Sequence, residues 1–101
     1  MSKMSFSVEC VRKCLLENDL VFTVRSYVYR DRLCEFNGRI YKRFLIKEIK
    51  CKEDLIEFVE LSGFRDVVDW WNKIECFCKY KDKFLYLVVR PKKLDGGGES
   101  A

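Results

Sequence analysis

A threonine and an arginine stand two residues apart inside an apolar run of this sequence, and both side chains are suited to binding a polar ligand. The run is DLVFTVRSYVY, residues 19–29. Strand alternation places four of its side chains on one face, namely Val21, Thr23, Arg25 and Tyr27. An arginine there grips a phosphate with two hydrogen bonds or stacks on a base. The alternative is a structural pair in which Arg25 bridges a helix carboxylate such as Glu57.

The segment YVYRDR extends this chemistry by mixing aromatic and cationic side chains, Tyr27 and Tyr29 with Arg30 and Arg32. Aromatic rings stack nucleic-acid bases at about 1–3 kcal/mol each, and arginines bind phosphates. The composition therefore indicates a surface for single-stranded nucleic acid. The alternative is a pair of tyrosines packed on a barrel edge, with solvated arginines near a turn.

Basic residues also follow a predicted long strand, RIYKRFLIKEIKC, at Arg39, Lys42 and Arg43. Residues 25–52 hold nine Lys or Arg against three acids, and residues 53–75 hold two against seven. This asymmetry predicts a polyanion partner for the basic half, with affinity that falls steeply with salt. The alternative is an exposed strand face whose charges protect against edge pairing.

Six cysteines and no histidine give little support to a metal site. The C-x3-C pair at Cys10 and Cys14 and the C-x-C pair at Cys76 and Cys78 lack the usual two-residue spacing of zinc ligands. We therefore expect no metal and no cofactor. Buried thiols or one or two disulfides remain open for all six residues, Cys10, Cys14, Cys34, Cys51, Cys76 and Cys78.

The hydrophobic patterning predicts an α+β domain in the order strand, helix, three strands, two short helices, strand. Asn37-Gly38 predicts a tight hairpin, and a bulge is expected near Phe44. Gly63 is expected to end the first of the later helices, and Asp66 to cap the second. Consecutive strands with short turns favour a small mixed barrel of about five to six strands with the helices outside it.

Residues 1–91 are predicted to form a single domain, and the Gly-rich segment 92–101 a flexible tail. No run of eighteen apolar residues is present, so no membrane span is expected. Charged residues interrupt the first fifteen positions, which disfavours a secretory signal and favours a cytoplasmic protein.

Over residues 4–90 the order of elements resembles the ASCH domains, relatives of the RNA-binding PUA fold. The most specific matches are FTVR and a helix pair in which SGF is followed by VVDWWNKI. The resemblance implies a small PUA-like β-barrel with a cleft between barrel and helices, which holds RNA or a modified nucleobase. Thr23 and Arg25 match the threonine and arginine that point into that cleft. We place Ser62 and Trp71 on its lining as well.

Some members of the family are amidohydrolases or ribonucleases. The amidohydrolases carry a Lys-x-x-Thr-x-Arg pattern, with a glutamate before the Gly-Phe-like pair on the later helix. The lysine position falls here on Leu20 and the glutamate position on Ser62. Leucine cannot activate Thr23 as a nucleophile, and serine is a poor substitute for a carboxylate, which disfavours an enzyme.

The sequence therefore predicts an RNA-binding domain, for single-stranded RNA or a modified base, with DNA as a possible competitor. One alternative is a hydrolase of the ASCH type that uses Thr23. A second alternative is a protein-interaction module that uses the acidic helices. The sequence does not specify the oligomeric state.

Overall fold

The computed structural model of the chain describes residues 2–91, so the predicted tail at 92–101 lies outside the described residues. The predicted order of elements is confirmed for these residues. They form β1 (Ser2–Lys3), α1 (Glu9–Asn18), β2 (Leu20–Arg25), β3 (Leu33–Phe36), β4 (Arg39–Glu48), a 3-10 helix (Lys52–Leu61), α2 (Val67–Cys78) and β5 (Phe84–Val89). Within this range no helix combines the length and the apolar character that crossing a bilayer requires.

The strands form one mixed five-stranded sheet in the order β1-β3-β4-β5-β2. Strand β1 runs parallel to β3, and all other neighbours are antiparallel. The sheet is not closed into the predicted barrel, because its outer strands β1 and β2 do not pair with each other. Strand β1 has only two residues, and β2 packs against α1. The α+β class is confirmed, whereas the expected barrel is an open sheet.

The β3–β4 hairpin and the bulge in β4 are confirmed. Asn37 and Gly38 both have positive φ, at 56° and 74°, as a two-residue hairpin turn requires. The pairing of β4 with β5 shifts register between Leu45 and Lys47, close to the expected position at Phe44. The bulge changes which side chains of β4 face each side of the sheet.

Each face of the sheet is covered by a different set of helices. Directly opposite residues of an antiparallel pair lie on the same face. Val21 and Val88 are such a pair, and they belong to a core with Val11 and Leu15 of α1. Val24 and Leu85 are a pair on the opposite face, and their core includes Leu55, Trp70 and Ile74 from the two later helices. Phe64, between those helices, packs against both cores.

The segment 52–61 is a 3-10 helix, which differs from an ordinary α-helix in having three residues per turn. Its apolar residues Leu55, Phe58 and Leu61 are spaced by three and therefore align along one side of a 3-10 helix. Gly63 follows it with φ +90°, and a Cβ there would lie 2.5 Å from the carbonyl oxygen of Cys10 in α1. A glycine therefore allows this connection to pass directly against α1.

Candidate nucleic-acid site

A cleft of about 230 Å³ opens beside strand β2, between the start of α1 and the end of α2. We call it the β2 cleft. Its apolar walls come from three elements, and its polar groups are mainly hydroxyls and one guanidinium. The apolar lining residues are Phe6, Val8, Val11, Val24 and Phe77, with the thiol of Cys78. The polar lining residues are Ser5, Ser7, Thr23, Arg25, Ser26 and Tyr27.

Thr23 and Arg25 share this cleft because strand alternation directs them to one face of β2. Thr23 is buried, with 8 % of its surface exposed, and lies opposite Tyr86 of β5. Arg25 lies opposite Phe84, in the last pair between β2 and β5. The sequence prediction that these two side chains project together therefore agrees with the geometry.

Arg25 is held by main chain and by an aromatic ring. Its Nη2 donates a hydrogen bond to the carbonyl oxygen of Ser5 at 2.9 Å, and its guanidinium carbon lies 4.7 Å from the centre of the Phe6 ring. Its Nε is buried and has no hydrogen-bond partner among residues 2–91. These contacts hold Arg25 in place of the helix carboxylate, such as Glu57, that the sequence offered as its structural partner. One donor of the guanidinium is therefore buried at the cleft lining and unpaired within the described part of the chain.

A small chamber of about 60 Å³ shares part of its lining with the β2 cleft. Thr23 and Val24 line both spaces, and Trp70 also lines the chamber. Lys73 of α2 adds an amine to its lining. The chamber is otherwise mainly apolar, so a flat or methylated group fits its walls better than a charged one.

A second cavity, of about 270 Å³, lies beyond the two predicted tyrosines. We call it the arginine cavity. Its lining residues come from the segment after β2 and from the middle of β4 and β5, and they are Val28, Tyr29, Arg30, Asp31, Arg32, Arg43, Phe44, Leu45 and Tyr86.

Tyr27 and Tyr29 connect the two cavities. Tyr27 is 54 % exposed and lines the β2 cleft, whereas Tyr29 lines the arginine cavity. Their rings are 4.9 Å apart in an edge-to-face arrangement, and Tyr29 also meets the ring of Tyr86 at 5.2 Å. Burial and the hydrogen bond that Tyr29 donates to Tyr27 raise the pKa of Tyr29 well above its usual value. Its hydroxyl therefore stays protonated at neutral pH.

The predicted basic residues separate into two sets. Arg30, Arg32 and Arg43 line the arginine cavity. Arg43 is only 3 % exposed, so it is not part of the exposed strand face that the sequence suggested. Arg39 lies beside the hairpin turn and Lys42 is exposed on β4, and neither lines a described cavity.

Ser62 and Trp71, which we expected on the cleft lining, are located elsewhere. Ser62 is fully buried, and its hydroxyl donates to the carbonyl oxygen of Val59 and accepts from the amide of Phe64. It therefore closes the end of the 3-10 helix. Trp71 packs on the core formed by the later helices, with the Lys83 amine 5.7 Å from its ring centre.

Several lining residues were missed by sequence reasoning. Ser5 and Ser7 flank Phe6 in the segment before α1, and their alternation around an aromatic residue gives only a weak signal. Phe77 of α2 lies three residues after the buried Ile74, a spacing that predicts core packing, yet it is 55 % exposed beside the cleft.

The six cysteines are all free thiols. Cys14, Cys34 and Cys78 are buried, and Cys51 and Cys76 are exposed. Burial raises the pKa of each of the three buried thiols. Residues 2–91 contain no group of three or more potential ligands from His, Cys, Asp and Glu arranged to hold a metal ion.

Comparison with protein-family models, with curated proteins and with solved structures finds no match to this chain.

Proposed function

We propose that this protein binds RNA, with one base in the β2 cleft and the adjoining chain across Tyr27 and Tyr29. The observation that carries the proposal is that Thr23 and Arg25 meet in one cleft with apolar walls, where the buried Nε of Arg25 has no partner among residues 2–91. Polar groups that converge in an apolar cleft are the usual composition of a site for a flat, polar ligand.

The size and surroundings of the cleft favour a base within a longer strand. Its volume of about 230 Å³ is below the roughly 300 Å³ at which sites for drug-sized ligands begin. One nucleobase therefore fits better than a large ligand. The exposed ring of Tyr27 lies at the cleft, and the arginine cavity follows it. Stacking on aromatic side chains and binding of phosphates by arginines is the common mode for single strands.

The resemblance to ASCH domains supports the same assignment, since the cleft of that family, between barrel and helices, holds RNA or a modified nucleobase. We include in this proposal that the chain belongs to the ASCH family and that its open sheet is related to the PUA fold. The hydrolase alternative is not carried forward, because Leu20 and Ser62 occupy the lysine and glutamate positions of the amidohydrolase pattern and Ser62 is buried outside the cleft lining.

The proposal is tested by fluorescence anisotropy of a short labelled single-stranded RNA at two salt concentrations. The proteins compared are the wild type, Arg25→Ala and a control, Arg65→Ala. Arg65 is exposed, pairs with Asp69 and lines neither cavity, so the control removes the same charge. Loss of a hydrogen bond to a charged group should weaken binding at least about tenfold in Arg25→Ala. The control should stay close to wild type.

Salt and competitor measurements complete the experiment. The logarithm of the affinity should fall linearly with the logarithm of the salt concentration, as phosphate contacts require. An unlabelled DNA of the same sequence then reports whether the 2′-hydroxyl contributes. Absence of RNA binding at low salt, or equal losses in Arg25→Ala and Arg65→Ala, would contradict the proposal. Circular dichroism of each variant confirms that it is folded.

A further inference from the structure

The arginine cavity is built by a segment that is fixed at both ends although it has no helix or strand of its own. The amide of Tyr29 donates to the Tyr86 hydroxyl at 2.8 Å, which attaches the segment to β5. At the other end, the amide of Arg43 donates to the carbonyl oxygen of Arg32 at 2.8 Å, which attaches it to β4. The cavity walls are therefore preorganised.

Arg43 is the buried cation of this cavity. Its Nε donates to the carbonyl oxygen of Asp31 at 2.8 Å, and its Nη2 donates to the Ser2 hydroxyl at 2.6 Å. Its guanidinium carbon stacks 3.7 Å from the centre of the Tyr29 ring. All of these partners are neutral. Its third nitrogen, Nη1, is buried and has no hydrogen-bond partner among residues 2–91.

A buried charge of this kind is unfavourable unless an opposite charge approaches it. The described ion pairs do not include Arg43. Two further arginines, the exposed Arg30 and Arg32, line the same cavity. Asp31 is the single acidic residue among its described lining residues. The cavity therefore has an excess of positive charge, and an external anion would use the donor that Arg43 leaves free.

We propose that the arginine cavity is a binding site for a phosphate group. Arg43 provides the fixed donor at Nη1, and Arg30 and Arg32 provide mobile donors at the rim. A guanidinium matches the oxygen spacing of a phosphate better than it matches a spherical anion such as chloride. This inference goes beyond RNA binding, because inorganic phosphate alone should occupy the site. When RNA is bound, the same site would hold a phosphate next to the base in the β2 cleft.

The test is an NMR titration of the full chain with inorganic phosphate, against potassium chloride at matched ionic strength. The resonances followed are the Arg43 Nε–H group and the backbone amides of Tyr29 and Arg30. Phosphate should give saturable shifts with a dissociation constant of about 1 mM or tighter, and chloride should not. Equal responses to phosphate and chloride would overturn the proposal.

Two variants locate the phosphate. The double variant Arg30→Ala/Arg32→Ala changes only exposed side chains and should weaken phosphate binding at least about tenfold. Its control, Lys13→Ala/Arg65→Ala, removes two exposed charges away from the cavity and should bind as the wild type does. Arg43→Lys keeps the charge but loses the fork of donors, and it should also bind more weakly. If the rim variant binds phosphate as tightly as its control, the proposal is wrong.

The source of the phosphate is distinguished by two further probes, a nucleoside 5′-monophosphate and a dinucleoside monophosphate. Tighter binding of the first would assign the site to a terminal phosphate, and equal binding would assign it to the backbone of a strand. Failure of the phosphate proposal can be distinguished from failure of the proposed RNA-binding function. Phosphate binding without RNA binding would contradict only the RNA proposal, and RNA binding without phosphate at Arg43 would contradict only this one.

Discussion

Two tyrosines on neighbouring strands are buried to the same degree but differ in whether the hydroxyl has a partner. Tyr41 of β4 is fully buried, and its hydroxyl has no hydrogen-bond partner among residues 2–91. Tyr86 of β5 is 2 % exposed and accepts a hydrogen bond from the amide of Tyr29. An unpaired buried hydroxyl lowers stability, whereas a paired one contributes to it.

Removing each hydroxyl should therefore change stability in opposite directions. We expect Tyr41→Phe to raise the free energy of unfolding by about 1 kcal/mol, because it removes an unpaired polar group. Tyr86→Phe should lower it by about 1 kcal/mol, because the amide of Tyr29 loses its acceptor. Urea unfolding followed by circular dichroism measures both. Changes of the same sign in the two variants would contradict the assignment.

At the residue scale, sequence reasoning located side chains that depend on strand alternation and missed those that depend on long-range packing. Thr23 and Arg25 share a cleft because both lie on one short strand. The burial of Arg43 arises instead from Ser2 and Asp31, which are distant in sequence and approach it only in the folded sheet. Ser62 was assigned by its place in a family motif, but its hydroxyl is used locally to end a helix.

At the scale of elements, the local turn and capping signals were reliable. Asn37-Gly38 forms its hairpin, and the Asp66 carboxylate accepts from the amide of Asp69 at 2.8 Å at the start of α2. Barrel closure was not predictable in the same way, since it depends on whether two outer strands meet. The spacing of apolar residues by three at 55, 58 and 61 was the available indication of a 3-10 helix.

Gly63 lies in the connection between the 3-10 helix and α2. We expect its replacement to lower stability more than replacement of Gly38. Gly63→Ala would place a side chain in the left-handed region and against the backbone of Cys10, at 2.5 Å from its carbonyl oxygen. We expect the free energy of unfolding to fall by at least about 2 kcal/mol. Gly38→Ala is the matched control, with φ +74° and no atom within 4 Å of the added Cβ.

In Gly38→Ala the free energy of unfolding should fall by only about 1 kcal/mol, which is the cost of the positive φ alone. Urea denaturation of both variants gives the comparison directly. If the free energy of unfolding falls equally in the two variants, the close approach of Gly63 to α1 does not contribute to the cost of the substitution.

At the scale of the whole molecule, three buried thiols couple stability to alkaline pH. Burial raises the pKa of Cys14, Cys34 and Cys78 above the ordinary value of 9.0. The unfolded chain therefore loses these protons at lower pH than the folded protein does. Their contribution to stability is fully present below pH 9.0 and is lost as pH rises through the folded-state pKa values.

We accordingly expect the urea midpoint to decline as pH rises above 9.0, the ordinary thiol value, under reducing conditions. A variant that replaces the exposed thiols, Cys51→Ser/Cys76→Ser, should show the same decline. Cys34→Ala should show a shallower one, because one of the linked protons is removed. A midpoint that stays constant across the alkaline range would contradict the burial of these thiols.

The double attachment of residues 29–32 also determines how this part of the chain moves. A loop without helix or strand ordinarily exchanges its amide protons with solvent quickly. Here the amide of Tyr29 is bonded to the Tyr86 hydroxyl, and the carbonyl of Arg32 is bonded to the amide of Arg43. The Tyr29 amide should therefore exchange slowly, at a rate close to that of the β4–β5 strands. The loop and the centre of the sheet would open together, as one cooperative unit.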